Sequence, residues 1–486
     1  MNWQEEYKRK LVSAEEAVRI VESGDRIIIP LSDQPRQLAQ ALSARRHELQ
    51  GVSISISVPQ IDLSWFLSSE GDDFQVEFEN FIGPIARPFH DDGLAPYLPL
   101  PFSLSHKVTD ERPSESKPVD VVMTTVTPPD KHGLVSFGPN LWFKRSYIKR
   151  ARKVIAEVNP SLIRTHGDCY LPISMFDHFV EIAPASITRE EFLQAVSGFP
   201  QERRSELEEV INRVNPTLLA PFLSCLETLD LRPLRVRFGL EEPPPEAHAV
   251  AEHVKRLIPD GATMQIGVGT PSAYLPRLGI LDDRVDLGLH SELVVPGIIP
   301  LVEAGVINGS RKSIHRGKAV AVSWSGADDR GMSIIDDNPM FELYDPEYLL
   351  NPMLIAQNER QIGINNALSV DLTGQINSES VFGPRMINGI GGQPDTHMGA
   401  LYSKGGRVIT LLFSTALDGA VSRIVPMMEA GSLITVPRFF ADTIVTEYGV
   451  ASLIGKNHWE RAEALIAIAH PDFRGELRKS LKAGLR

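Results

Sequence analysis

The chain has 486 residues, with 49 Lys and Arg against 62 Asp and Glu, for a net charge of −13 with histidine neutral. Hydrophobic residues make up 42% and charged residues 23%, as in an ordinary globular enzyme, and the length exceeds what one compact core fills, so two domains are expected. The acidic balance excludes broad nucleic-acid binding, which needs a surplus of Lys and Arg, but leaves room for an anionic small ligand met by a local basic patch. Only Cys169 and Cys225 occur, which argues against a disulfide scaffold and fits a reducing compartment. The start, Met1 to Glu6, has neither the basic nor the apolar run of a signal peptide. No stretch approaches the roughly 18 apolar residues of a membrane span. The expectation is a cytoplasmic protein with no nucleic-acid and no membrane partner.

In chain order, Ser13-Ala14-Glu15-Glu16 reads as a capping box opening a helix with Ala17, Ile20 and Val21 on its apolar stripe. Ser23-Gly24-Asp25 ends it, and Arg26-Ile27-Ile28-Ile29 reads as a buried strand. Pro35 opens a second helix through Leu38, Leu42 and Leu49. Strands are expected at Val52–Val58, Val119–Thr127 and Lys153–Val158, the last preceded by a helix over Lys144–Arg152. Strands alternating with helices indicate an α/β domain with a largely parallel sheet.

Thr188 to Val214 is strongly charged and helical in pattern, and Pro216, Pro221, Pro233 and Pro243-Pro244-Pro245 punctuate the stretch after it. This reads as a small helical insertion and a stiff linker. Beyond it the opening pattern returns: a helix over Ala249–Leu257, a turn at Pro259-Asp260-Gly261, a strand over Ala262–Ile266, and Pro271 opening the next helix. Gly24 to Pro35 is eleven steps and Gly261 to Pro271 is ten. The two units read as related α/β halves from a duplication. The domain division is therefore 1–185, an insertion over 186–247, and 248–486. The loop after the second half's first strand, Gly267-Val268-Gly269-Thr270-Pro271, carries glycines that the first half's loop lacks. Glycines allow close backbone approach to a ligand, and a strand-to-helix turn points free amides at an anion. The second half is the better candidate for chemistry.

Several chemistries fail on motif. No Gly-x-Ser-x-Gly elbow, P-loop or complete dinucleotide fingerprint occurs, and no cysteine pair or His-Glu-x-x-His helix suggests zinc. His90-Asp91-Asp92 before Gly93 reads as a loop rather than a metal site. What remains is a density of glycine, amide and carboxylate groups in the C-terminal half. Asp286 to Leu293 places Glu292 at the end of a strand-like run, Asn365-Asn366 supplies adjacent amides, Asn388 to Gln393 is a glycine turn, and Val445 to Gly449 supplies Glu447 beside a turn. One carboxylate near several amide donors could be a nucleophile with an oxyanion site. By residue type alone this ranks no higher than a set of ordinary strand ends.

The ordered stretches Val126 to Gly133, Asn159-Pro160 with Arg164 to Asp168, Gln265 to Pro271, Gly288 to Glu292, Asn388 to Gln393, Ser422 to Pro426, Val445 to Gly449 and Ile466 to Arg474 carry a family likeness. Through them the chain resembles the acetyl-CoA hydrolase/4-hydroxybutyrate CoA-transferase family of class I CoA transferases over nearly its whole length. The resemblance implies two open α/β domains with the active site in the cleft between them. It implies Glu292 as catalytic glutamate, forming a glutamyl-CoA thioester. It also suggests oxyanion donors at Gly391, Gly392 and Asn365, Glu447 near Glu292 to position it, and Gln265, Gly267, Gly269, Gly391 and Gly392 along the approach of CoA. Substrates would be acyl-CoA and a small carboxylic acid, with no tightly bound cofactor, no metal, and a homodimer or higher homo-oligomer as the assembly. Arg311, Lys312, Lys318, Lys404 and Arg407 flank glycine turns and could meet the CoA phosphates.

Four positions depart from the family's pattern: Ser369 where glutamate is usual, Pro296-Gly297 in place of Asp-Gly, Thr396 in place of an aromatic residue and Met398 in place of an arginine. These departures point to an unusual acyl donor or acceptor. Three readings stay open on sequence: a CoA-transferase, an acyl-CoA hydrolase or other acyltransferase on the same scaffold, and a non-catalytic CoA-binding protein.

Overall fold

The computed structural model describes residues 2–67, 74–183, 187–212, 230–237 and 239–484, together with 219, 223, 226 and 227. Cys225, Val214, Pro216 and Pro221, used in the sequence reading, lie outside the described residues. The chain forms two compact units. The first holds the residues up to Leu100, Leu104–Leu231 and Asp328–Glu347; the second holds Pro101–Ser103, Arg232–Ala327 and the chain from Tyr348 onward. The 186–247 segment is thus shared between the two units, and a short excursion of the C-terminal half belongs to the first.

The first unit is built on a parallel sheet whose strands lie in the order His178–Glu181, Lys153–Val158, Val121–Val126, Arg26–Ile29, Val52–Ile56, Phe74–Glu79, with Tyr97–Leu98 at the edge. Its central strands are buried along their whole length, which is why they read as unbroken apolar runs rather than as alternation. Ser13 caps the helix Ala14–Ala17 through the amide of Glu16 at 3.2 Å. A 3-10 turn, Val18–Ile20, then carries the chain toward the first strand.

The second helix, Arg36–Ala44, is shorter than expected: Leu38 and Leu42 are buried within it, whereas Leu49 packs from beyond its end. Pro35, its N-cap, has no side chain able to accept from the free amides. Glu157 supplies that acceptor from the strand Lys153–Val158, taking the Leu38 N–H at 2.8 Å and the amides of Arg36 and Gln37. Burial pushes this carboxyl up to about 7, against the pull of those three donors. The helix N-terminus that could receive an anionic ligand is thus filled by the chain's own carboxylate. The helix Gly83–Asp91 takes in His90 and Asp91, so the run read as a loop is the last turn of a helix.

The charged stretch of the insertion forms the helices Arg189–Ala195, closed by a Thr188–Glu191 capping box, and Gln201–Ile211, which buries Leu207, Val210 and Ile211. Pro244 and Pro245 are the N-cap and first residue of the helix Pro245–Lys255. There, prolines read as a linker serve as a helix start, where a missing N–H and a fixed φ cost nothing.

In the second unit the strands Thr443–Thr446, Arg407–Leu411, Gln361–Asn366, Thr263–Ile266, Gly288–Leu293 and Ala319–Ser323 lie side by side in that order, all parallel. Gly449–Ser452 adds an antiparallel edge. Setting aside the edge strand Tyr97–Leu98, each unit orders its six parallel strands sixth, fifth, fourth, first, second, third by place in the chain. This is the doubly wound arrangement, whose ligands sit beyond the carboxyl ends of the strands where the order reverses. In the second unit the reversal falls between Thr263–Ile266 and Gln361–Asn366. The expected helix after Pro271 does not form. Two 3-10 turns, Ser272–Tyr274 and Pro276–Leu278, stand in its place, and the Ser272 amide donates to Asn366 Oδ1 at 3.0 Å. This strand-to-turn junction therefore does not present the free helix amides anticipated from its glycines.

Candidate active site

Register assembles the candidate residues. Thr263 lies beside Gly288 and beside Gln361 in the two pairs that flank the first strand. Continuing both registers by four residues sets Gly267, Glu292 and Asn365 in one row at the carboxyl edge of the sheet. Because strand side chains alternate, residues in one row share a face. On that face Gln265 donates through Nε2 to Asn365 Oδ1 at 3.2 Å, and Asn365 donates through Nδ2 to Thr396 Oγ1 at 3.3 Å. Gln265 is buried and its Oε1 has no hydrogen-bond partner among the described residues.

Over this row lies the N-terminus of the helix Gln393–Tyr402, with Gly392 as N-cap. Gly392 donates its N–H to the Glu292 carboxylate. A Cβ at residue 392 would sit 2.2 Å from Glu292 Oε2 and 3.0 Å from its Cδ. The close approach of carboxylate to backbone therefore requires glycine here, for reasons of space. Gly391, the residue before, has φ of +57°, which glycine adopts without strain. Thr396 Oγ1 donates back to Gly392 O at 3.0 Å and ties this turn to Asn365.

Burial pushes the Glu292 carboxyl up to about 8, the nearby Asp395 charge adds to the rise, and the Gly392 N–H opposes it. Asp395 is buried and accepts from Ser103 Oγ at 2.6 Å, from Ser103 N at 3.0 Å, and from the Phe102 amide. Burial outweighs these three donors and pushes its carboxyl up to about 6. Two carboxyl groups with perturbed protonation thus share the turn that carries the glycines. Beneath them His290, on the same strand as Glu292, is held neutral. Burial drives it down to about 3, with its ring 2.7 Å from Leu349 O and 3.2 Å from Asn358 Nδ2.

The structure brings together Glu292, Gly392, Asn365, Gln265 and Gly267. Gly269, at φ +100°, packs beside the Asn366 amide. Glu447 lies in the tight turn between Thr443–Thr446 and Gly449–Ser452, where its carboxylate accepts from Ser414 N at 2.9 Å and from Ser414 Oγ. Its hydrogen bonds go to Ser414, and none of them reaches Glu292. Sequence reading missed Asp395 and Ser103 as site residues and saw Thr396 only as a departure.

Among the proposed phosphate-binding cations, Lys312 is buried and gives its ammonium to Leu289 O at 2.8 Å and Lys318 O at 3.0 Å. It braces the Glu292 strand and is not available to a ligand. Arg311 is paired with Asp286 at 3.0 Å, Lys404 with Glu359 at 2.8 Å, and Arg407 donates to Thr443 Oγ1 at 3.2 Å.

Residues 1–188 match the acetyl-CoA hydrolase/transferase N-terminal domain and residues 328–481 the corresponding C-terminal domain. The chain is 35% identical to the 4-hydroxybutyrate coenzyme A transferase of Clostridium kluyveri, across 99% of both chains. The chain belongs to the acetyl-CoA hydrolase/transferase family. Within this family it is also 33% identical to the succinyl-CoA:cyclohexane-1-carboxylate CoA transferase of Geobacter metallireducens, over 99% of this chain and 97% of the relative. The same two-domain fold is seen in the 4-hydroxybutyrate CoA-transferase of Porphyromonas gingivalis, with a TM-score of 0.70, 26% identity and coverage of 99% and 100%. RipA of Yersinia pestis matches with a TM-score of 0.77, 27% identity and 99% coverage of both chains. Among the described residues, no helix is long and apolar enough to cross a membrane.

Proposed function

We propose that the chain transfers CoA from an acyl-CoA to a small carboxylic acid, with Glu292 as the nucleophile. The relatives named as CoA-transferases support this activity, and the observation behind the residue assignment is the Glu292 carboxylate against the Gly392 N–H, one strand from the reversal. Glu292 first loses its proton, and its carboxylate then attacks the thioester carbonyl. The C–S bond breaks, giving an acyl–glutamyl anhydride and CoA thiolate. The thiolate attacks the glutamyl carbonyl, the C–O bond breaks, and the first acid departs as its carboxylate. Glu292 is left as a glutamyl-CoA thioester. The second carboxylate attacks that carbonyl and expels the thiolate, which then attacks the acyl carbonyl of the new anhydride. The new acyl-CoA leaves and the Glu292 carboxylate is restored.

Each tetrahedral intermediate needs donors aimed at its oxyanion. The Gly391 and Gly392 amides would serve once Glu292 is acylated and no longer accepts from Gly392. Asn365 has a second amide hydrogen beyond the one given to Thr396. Gln265, Gly267 and Gly269 would line the CoA approach, and Glu447 would act from its Ser414 clamp. The departures at Ser369, Pro296, Thr396 and Met398 support an acyl group or acceptor different from those of the relatives, and the assembly is proposed to be a homo-oligomer.

A panel of carboxylic acids incubated with acetyl-, propionyl- and succinyl-CoA, followed by mass, tests this reading. New acyl-CoA should appear only when an acceptor acid is present, and Glu292→Ala should abolish it. CoA thiol released at a rate independent of added acid would instead make the chain a hydrolase on the same scaffold.

A further inference from the structure

Beside the strand edge lies a small sheet of three strands, Ile376–Asn377, Ser369–Asp371 and Ile424–Val425, in that order. Ser369 pairs with Asn377 and Val370 with Ile424. One step back along the second register sets Arg423 beside Ser369, and the Val370 N–H donates to Arg423 O at 2.9 Å. Ile376, Val370 and Ile424 are all in the hydrophobic core. Alternation therefore turns Asn377, Ser369 and Arg423 to the opposite face, as one polar row.

The row is unevenly satisfied. Asn377 is committed: its Nδ2 donates to Ser380 O at 2.8 Å, and its Oδ1 accepts from the Glu379 and Ser380 amides at 3.0 Å each. Among the described residues, Ser369 Oγ makes only contacts of 3.5 Å, to Met428 Sδ and from Asn377 Nδ2. The Arg423 guanidinium, largely buried, makes no hydrogen bond or ion pair with any described residue. The charge it faces is Glu447, whose carboxylate is already held by Ser414. The Arg423 N–H donates to the Ser414 carbonyl at 2.9 Å, so both charged residues flank one serine.

A partly desolvated guanidinium with open donors is costly unless a ligand completes it, and its planar fork matches a carboxylate two bonds at a time. The row adjoins the candidate site. Asn366 O, at the end of the Gln361–Asn366 strand, accepts from Ser378 Oγ at 2.9 Å, just after the small sheet's strand Ile376–Asn377, and from Gln393 Nε2 at 3.3 Å at the start of the Gly392-capped helix.

We infer that Arg423 is a receptor for a carboxylate of the substrate acid, with Ser369 leaving beside it the space that a glutamate at that position would fill with a competing carboxylate. The inference rests on the transferase reading for the identity of the acid, but not for the binding itself. The ligand chemistry has two sources: the reacting carboxylate of any acceptor, or the distal carboxylate of a dicarboxylic acid. Calorimetric titration with acetate and with succinate, on the unmodified protein, Arg423→Gln and Arg423→Lys, reads binding without turnover. Steady-state kinetics on the same proteins add KM for acid and for acyl-CoA.

Arg423→Gln is expected to weaken acid binding at least tenfold while KM for acyl-CoA stays within twofold, and Arg423→Lys to recover part of the loss. Loss for both acids assigns the reacting carboxylate to Arg423; loss for succinate alone assigns the distal one. Unchanged acid binding in both variants overturns the proposal, as does an equal loss for acid and acyl-CoA. Failure of the transferase reading shows separately, as no acid-dependent acyl-CoA product from the unmodified protein.

Discussion

At the level of single residues, the protonation of Glu292 controls the proposed chemistry. Burial and the Asp395 charge push this carboxyl up to about 8, so at neutral pH most of the free protein holds the acid form, which is a poor nucleophile. The attacking form grows as pH rises toward that value. kcat/KM for acyl-CoA should therefore climb about tenfold per pH unit on the acid side and level off near pH 8. A profile flat from pH 5 to 9 would contradict this. The glycine above it is constrained just as tightly. A methyl group at 392 would fall 2.2 Å from Glu292 Oε2, displacing either the carboxylate or the helix start. Gly392→Ala should lower kcat by about 100- to 1,000-fold, the usual loss for one oxyanion donor. Circular dichroism should show the fold intact.

At the scale of elements, the helix Gln393–Tyr402 links the proposed nucleophile, the proposed oxyanion donors and a segment distant in sequence. Its N-terminal turn carries Gly392, Thr396 and Asp395, and Asp395 clasps Phe102 and Ser103. Removing the Asp395 charge should let the Glu292 carboxyl fall, so Asp395→Asn should move the acid limb of the pH profile to lower pH. Ser103→Ala removes one donor from Asp395 but keeps its charge, and should leave that limb closer to its original place. Equal shifts in both variants would show that the contact matters only as packing.

This element also marks the limit of sequence reading. The Asn388–Gln393 turn is legible from its glycines, whereas Glu292 is singled out by the family resemblance, since by residue type it is one strand end among several. The Ser103–Asp395 contact spans 292 positions and leaves no local pattern. The missing helix after Pro271 has a local cause: Asn366 takes the Ser272 amide, and the chain continues as 3-10 turns. Lys312 misled for a related reason, since a lysine beside glycine turns reads as exposed whereas its ammonium is bound by two carbonyls inside the fold.

At the scale of the whole molecule, the repeat seen in two glycine-to-proline spacings extends to the order of all six parallel strands in each unit. Apolar parallel strands announce themselves in sequence, so Lys153–Val158 was read to the residue, while the register that lines up Gly267, Glu292 and Asn365 is a property of the assembled sheet. The two units differ in how they treat the analogous edge. In the first, Glu157 fills the helix N-terminus; in the second, burial pushes the Glu292 carboxyl up to about 8, and Gln265 Oε1 has no hydrogen-bond partner among the described residues. The acidic total also takes on sharper meaning. Of the five cations proposed to meet CoA phosphates, Lys312 is internal and Arg311 and Lys404 are paired, so these three would reach a phosphate only by giving up those contacts.

The most direct test of the central claim is intact-protein mass after mixing the protein with acyl-CoA in the absence of any acceptor acid. The account predicts one added CoA less one water, located on Glu292 by peptide mapping, absent in Glu292→Ala and discharged on adding a carboxylic acid. No such adduct, with activity unchanged in Glu292→Ala, would contradict it.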